Sequence, residues 1–166
     1  MQCSTLTEQA RHWAKVQPET IWMRDLFEGG ATDHTWGAAV AEIDRVAAWL
    51  EAEFAHGQHM ALLSRNRAHW IMADMSIIHS GNVTVPLFTT HAQATAEYIL
   101  EFTDTQVLFL GETENWESVK AVLPKGCLII TLPGTDCDLP HTKWEQLVTT
   151  ATNESPAYSP HADDTV

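Results

Sequence analysis

Between Thr35 and Leu123, short apolar runs alternate with segments of helical periodicity, and this alternation limits the available folds more than any other feature. His59 to Ser64, Val83 to Phe88, Gln106 to Leu110 and Leu128 to Leu132 are largely continuous apolar stretches of strand length, not in–out alternations. A strand apolar along its length has to be buried on both faces, which places it in a parallel sheet covered by helices. Strands separated by helices connect by right-handed crossovers. The sequence therefore predicts an α/β fold with a mostly parallel sheet and flanking helices. Pro86 removes one ladder donor, so its strand is expected to be bulged or near an edge.

The segments between the strands carry helix signals. Leu6, Ala10, Trp13 and Val16 recur at helical spacing over 5–16, and Pro18 ends that helix. Thr20 to Leu26 reads as a short strand and Glu28-Gly29-Gly30 as a turn. Thr35 caps a second helix in which Val40, Ile43, Val46, Ala47, Leu50 and Phe54 share a face, with Gly57 expected to close it. Further helices are expected from Ala68 to His79, from about Ala92 to Phe102 and from Glu114 to Leu123. Thr142 to Thr150 reads as a short helix around Trp144 and Leu147. Residues 1–150 are thus expected to form one partial domain, and 151–166, polar with two prolines, a linker-like tail.

Composition narrows function by exclusion. With 45% hydrophobic residues the chain has the make-up of a globular protein. Asp and Glu outnumber Lys and Arg 22 to 9, and a net charge of −13 repels phosphate backbones, so no nucleic-acid partner is expected. Cys3, Cys127 and Cys137 form no C-x-x-C pair and read as reduced thiols, with Cys127 a small buried hydrophobe. Residues 1–20 hold no continuous apolar stretch of secretory type, and the Trp70 to Ile78 run is short and broken by Asp74. A soluble, cytoplasmic chain with at most peripheral membrane contact is the expectation.

Catalytic and metal patterns are sparse. His56 and His59 are three apart, but Gly57 interrupts any helix that would place them on one face, and no metal site is expected. His79-Ser80-Gly81 lacks the G-x-S-x-G elbow of a hydrolase, and Ser80 fits a small residue at a helix end. Trp36, Trp49 and Trp70 fall at helical positions and read as core fillers.

Several stretches resemble the N-terminal part of the adenylate-forming (AMP-binding) superfamily, most of all the long-chain fatty-acyl-CoA synthetases. Thr35-Trp36-Gly37-Ala38-Ala39-Val40 resembles the family's first core motif. Ala61-Leu62-Leu63-Ser64-Arg65-Asn66 with His69-Trp70 is similar to the strand and turn that follow. Ser80-Gly81-Asn82-Val83-Thr84-Val85-Pro86-Leu87 resembles the second core motif, and Gln106 to Gly111 the next strand and turn. Order and spacing together carry the resemblance over most of residues 18–150. The family's third core motif, a Ser/Thr/Gly-rich loop ending in Pro-Lys-Gly that wraps the ATP phosphates, has no counterpart among these residues. Asp163-Asp164-Thr165-Val166 resembles the lead-in to it.

The resemblance implies an N-terminal fragment of an ATP-dependent long-chain acyl-CoA synthetase that is not catalytic alone. ATP, Mg and CoA, with a fatty acid, would be bound by the complete enzyme. It also places Phe88-Thr89-Thr90 near the CoA channel, as an aromatic wall with two hydroxyls at the C-terminal end of a strand. The alternative is that Phe88 is core and the threonines cap the next helix. Arg65 and Arg67 could face a phosphate or line a solvated helix entrance. A second reading of the whole chain is a stand-alone, non-catalytic α/β module that binds a protein partner or acyl ligand, with self-association through its incomplete sheet.

Overall fold

The apolar runs pair side by side, as burial on both faces demands. In the computed structural model, which describes residues 5–151 and 155–161, they are β3 (His59–Leu63), β4 (Val83–Leu87), β5 (Val107–Leu110) and β6 (Leu128–Thr131). Ahead of them come α1 (Leu6–Val16), β1 (Ile21–Phe27), β2 (Gly30–Thr35) and α2 (Trp36–Glu53). The connecting and closing elements are α3 (Ala68–His79), α4 (Gln93–Phe102), α5 (Trp116–Lys120), β7 (Thr142–Lys143) and α6 (Trp144–Thr150). The main sheet has five strands in the order β4-β3-β5-β6-β7, every pair parallel. Pro86 lies opposite Leu62 on β4, an edge strand of this sheet, where a missing ladder donor is tolerated.

The pleat sorts each strand onto two cores. Met60, Leu62, Val107, Phe109 and Ile130 join Ile43, Leu50, Met72, Ile77 and Trp144 from α2, α3 and α6. Ala61, Leu63, Leu108, Leu110 and Ile129 join Ala96, Leu100 and Val119 from α4 and α5 on the other face. Alternate residues of one strand therefore serve opposite layers, and the result is an α/β/α sandwich.

The ends of the helices follow local chemistry. Thr5 and Glu8 form a reciprocal capping box at α1. Thr35 Oγ1 accepts the Ala38 N–H at the start of α2, as its sequence position predicts. At the end of α3, the Gly81 N–H donates to Ile78 O and the Asn82 N–H to Ile77 O. Gly81 takes φ +76°, which closes the helix in the Schellman pattern. Ser80 is the C-cap of α3, fully buried, and its Oγ donates to Ile77 O.

Four expectations need correction. The residues after Gly29 form β2, antiparallel to β1, where only a turn was expected. Its sequence, GATDHT, lacks apolar alternation, and the hairpin is held instead by a two-bond Arg24–Asp33 pair and by Trp22 stacked on Trp36 at 4.2 Å. Helix α2 is capped by Phe54, not Gly57; Gly57 lies in the following turn at φ +79° and donates its N–H to Gly81 O. Helix α5 is only five residues long. The two-residue β7 was not anticipated.

One buried polar cluster knits the first layer. Arg11 of α1 donates through Nε and Nη2 to the Asp44 carboxylate on α2, and His79 Nδ1 of α3 lies 2.9 Å from Asp44 Oδ1. Three helices are thus joined through one carboxylate. Burial alone would raise the pKa of Asp44, but hydrogen bonds from His79 and Arg11, with the charge of Arg11, hold it below the usual range. For His79, burial dominates and pushes the imidazole down, so the neutral ring donates to Asp44.

Residues 155–161 pack back onto the domain. The N–H groups of Ala157 and Tyr158 donate to the Glu51 carboxylate at 2.7 and 2.9 Å, and Pro156 and Pro160 are buried. Asp163 to Val166 and Cys3 lie outside the described residues. Cys127 is half-buried, free, and its thiol is pushed up to about 11 by burial; Cys137 is also free. Among the described residues, no helix is long and apolar enough to cross a membrane.

Candidate ligand-binding edge of the sheet

Because β3, β4, β5 and β6 run parallel, their C-terminal ends deliver four loops to one edge of the sheet. From β3 the chain crosses to β4 on one side, whereas from β5 it crosses to β6 on the other. The ends of β3 and β5 therefore flank the switch point, where open α/β sheets place ligands.

Here the two loops are bonded to each other across the switch point. The Arg65 N–H donates to Glu112 O at 2.8 Å, and the Gly111 N–H to Leu63 O at 2.8 Å, so the two loops continue the ladder past the strands. The Arg65 guanidinium reaches across to the Glu112 carboxylate at 3.1 Å and also donates to Glu114. Gly111 has to be glycine: a Cβ there would lie 2.5 Å from Ser64 Cβ and 3.1 Å from Leu132 Cδ1. Of the two readings of Arg65, the structure thus supports neither a free phosphate ligand nor a merely solvated side chain. It is a clasp between loops. Its carboxylate partners on the loop after β5 were missed in the sequence because they lie 47 and 49 residues downstream.

The neighbouring groove is acidic as well. It is lined by Gly111, Glu112, Thr113, Trp116, Thr135 and Asp136, among others. Lys120, the nearby cation on α5, donates to Asp138 at 2.6 Å and to Glu117. Arg67 lines a separate groove with Arg24 and Arg65, where Arg24 is occupied by Asp33. At the switch point the Arg65 guanidinium is thus engaged by two solvent-exposed carboxylates.

Phe88, Thr89 and Thr90 lie just past β4, on the same edge. Phe88 is 68% exposed, so it is not part of the core. Its ring meets His91 edge-on at 5.1 Å. Neither threonine caps α4, whose N-cap is Ala92 with no side-chain bond. The loop is anchored instead by Asn115 Nδ2, which donates to His91 O at 2.6 Å and ties the loops after β4 and β5 together. The structure leaves an aromatic ring and the Thr90 side chain facing outward at the strand ends.

Of the two histidines three apart, His56 faces Glu51 at 3.5 Å and packs at a tilt on Tyr158, whereas His59 opens β3. His79-Ser80 serves the Asp44 cluster and the α3 cap. Trp36, Trp49 and Trp70 are half-buried against the first core, as expected of packing residues.

A five-strand parallel sheet flanked by helices matches the N-terminal domain of adenylate-forming enzymes. The chain belongs to the AMP-binding enzyme family, whose sequence profile matches residues 10–166. A long-chain-fatty-acid–CoA ligase, FadD15 of Mycobacterium bovis, is 28% identical over 107 residues, which is 64% of this chain and 18% of that ligase. The acetoacetyl-CoA synthetase of Streptomyces lividans superposes with a TM-score of 0.79 at 18% identity, over 93% of this chain and 26% of the synthetase. A benzoate CoA ligase from Burkholderia xenovorans gives 0.72 at 18% identity, over 96% and 30%. The chain thus spans less than a third of the length of each of these relatives.

Proposed function

We propose that residues 1–166 supply the N-terminal part of the scaffold of an ATP-dependent long-chain acyl-CoA ligase and do not activate a fatty acid by themselves. In the complete enzyme, fatty acid, ATP and CoA would give acyl-CoA, AMP and pyrophosphate. The observation that carries this reading is the pairing of Arg65, the cation at the β3 strand end, with Glu112 and Glu114 at the switch point where a nucleotide would be expected. ATP and its Mg are then gripped by residues beyond these 166, and this part contributes Phe88, Thr89 and Thr90 as one wall of the CoA channel. The free thiols of Cys127 and Cys137 accord with a cytoplasmic setting.

The test is ATP–pyrophosphate exchange by the 166-residue chain with medium- and long-chain fatty acids. No exchange above a no-protein control is expected; reproducible exchange above that control overturns the reading.

A second reading, a non-catalytic module that associates with a partner chain, is favoured by a specific surface. Tyr98 and Phe102 stack at 5.7 Å on α4 and are 66% and 77% exposed. Both readings share one consequence: the isolated chain self-associates through this exposed pair. Light scattering at micromolar concentration should give a mass above 18.5 kDa that falls toward it in a Tyr98→Lys, Phe102→Lys variant. A monodisperse monomer for the unaltered chain contradicts it.

A further inference from the structure

The hairpin and α3 enclose a group of side chains that the scaffold role does not use. In the β1–β2 register Asp25 pairs with Thr32, so His34, two residues on, is its diagonal neighbour on the same face. That face looks toward α3, because Asp25 Oδ1 accepts the Ala68 N–H at 2.7 Å. His69, one residue further along α3, meets His34 edge-on at 5.2 Å. One donor atom each from Asp25, His34 and His69 lie within 4.8 Å of one another.

The hydrogen bonding around these residues leaves two ring nitrogens without a partner. His34 Nε2 and His69 Nδ1 are buried and have no hydrogen-bond partner. An orphaned buried ring nitrogen is costly, and two in one cluster call for a shared ligand. With Oδ1 of Asp25 held by the helix N–H, its Oδ2 faces His34 Nε2 at 3.6 Å. The other nitrogen of His69, Nε2, lies 3.8 Å from the Glu42 carboxylate, which Trp144 Nε1 also holds at 2.8 Å. A carboxylate on that side of the ring, closing to hydrogen-bond distance, would leave the opposite nitrogen as the metal's electron-pair donor, the usual support of a metal-bound histidine.

We propose that Asp25 Oδ2, His34 Nε2 and His69 Nδ1 form a site for one divalent transition metal, zinc, that clips the hairpin to α3. Two imidazoles with one carboxylate are a donor set that zinc accepts, and water from the partly open hairpin side completes a tetrahedron. Such a centre sets its donors about 3.3 Å apart, so the rings close by roughly an ångström on binding. Asp25 and Glu42 balance the metal's charge, against the Arg67 guanidinium that lines the groove beside Asp25. No local motif announces the set, since 44 residues separate Asp25 from His69 and the hairpin strand that carries His34 is cryptic in the sequence. The sequence expectation of no metal site rested on local spacing alone.

The test titrates the metal-free chain with zinc, read by calorimetry and by amide shifts of the unaltered chain. One equivalent should bind, with shifts concentrated over 23–35 and 67–70. His34→Gln and Asp25→Asn, each checked for an unchanged circular dichroism spectrum, should weaken binding at least about tenfold. His12→Gln, an exposed histidine on α1, should leave it unchanged. The proposal is overturned by no saturable uptake, by shifts scattered over other histidines, or by full affinity in a folded His34→Gln chain. The shift map of the unaltered chain decides the matter if a variant does not fold.

Discussion

Replacing Trp144 with alanine is expected to lower the stability of the chain by about 3–5 kcal/mol, the range for emptying a large aromatic site in a core. Trp144 is fully buried, the largest side chain so enclosed among the described residues. Its ring packs edge-on against Phe109 at 6.5 Å and His69 at 5.6 Å, so it bridges the central strand and α3. Its Nε1 donates to Glu42, and the alanine variant leaves that half-buried carboxylate short of a donor. For a domain of ordinary stability this is a large share of the total. Urea unfolding should show a lower midpoint at unchanged slope. A loss under 1 kcal/mol would mean that α6 does not close the first core.

The second large effect is expected at Asp44. An Asp44→Ala variant removes the acceptor shared by Arg11 and His79 and strands a guanidinium between helices. Breaking a buried pair from one side costs about 3–5 kcal/mol; with Arg11 partly exposed, the lower figure applies. The same cluster sets a pH dependence. His79 titrates below its ordinary value of 6.5 in the folded chain, so the unfolded chain binds the proton first. Its contribution is complete above about pH 6.5 and falls away as pH drops toward the folded value. Asp44, also depressed, adds a further loss as pH falls below about 4. The urea midpoint should therefore decline on acidification from pH 7, and less steeply between pH 7 and 5 in a His79→Leu variant. A midpoint that rises over that interval contradicts the assignment of a neutral, buried His79.

The sheet was legible because its strands are buried on both faces, and a run such as Ala61-Leu62-Leu63 has no other stable placement. Thr35 and Gly81 were legible because each acts on neighbours a few residues away. What escaped depends on partners distant in sequence. Strand β2 carries no hydrophobic pattern and exists through Arg24–Asp33 and the Trp22–Trp36 stack. Gly57 looks like a helix terminator, yet the chain leaves α2 three residues earlier and uses Gly57 in a turn bonded to Gly81. At the candidate site, the position of Phe88-Thr89-Thr90 at a strand end followed from the alternation. Their exposure did not, because an aromatic residue beside an apolar strand reads as core. Arg65 could be singled out as a cation in a strand-end turn, but its pairing with Glu112 and Glu114 required the fold.

The most direct measurement is an amide-shift titration of the 166-residue chain with MgATP into the millimolar range. With Arg65 paired to Glu112 and Glu114 and the loops after β5 and β6 acidic, no saturable shifts are expected at residues 64–67 and 111–115. Saturable shifts confined to those two loops, with a single dissociation constant and loss of the Arg65–Glu112 contact, would show that this part alone grips the nucleotide.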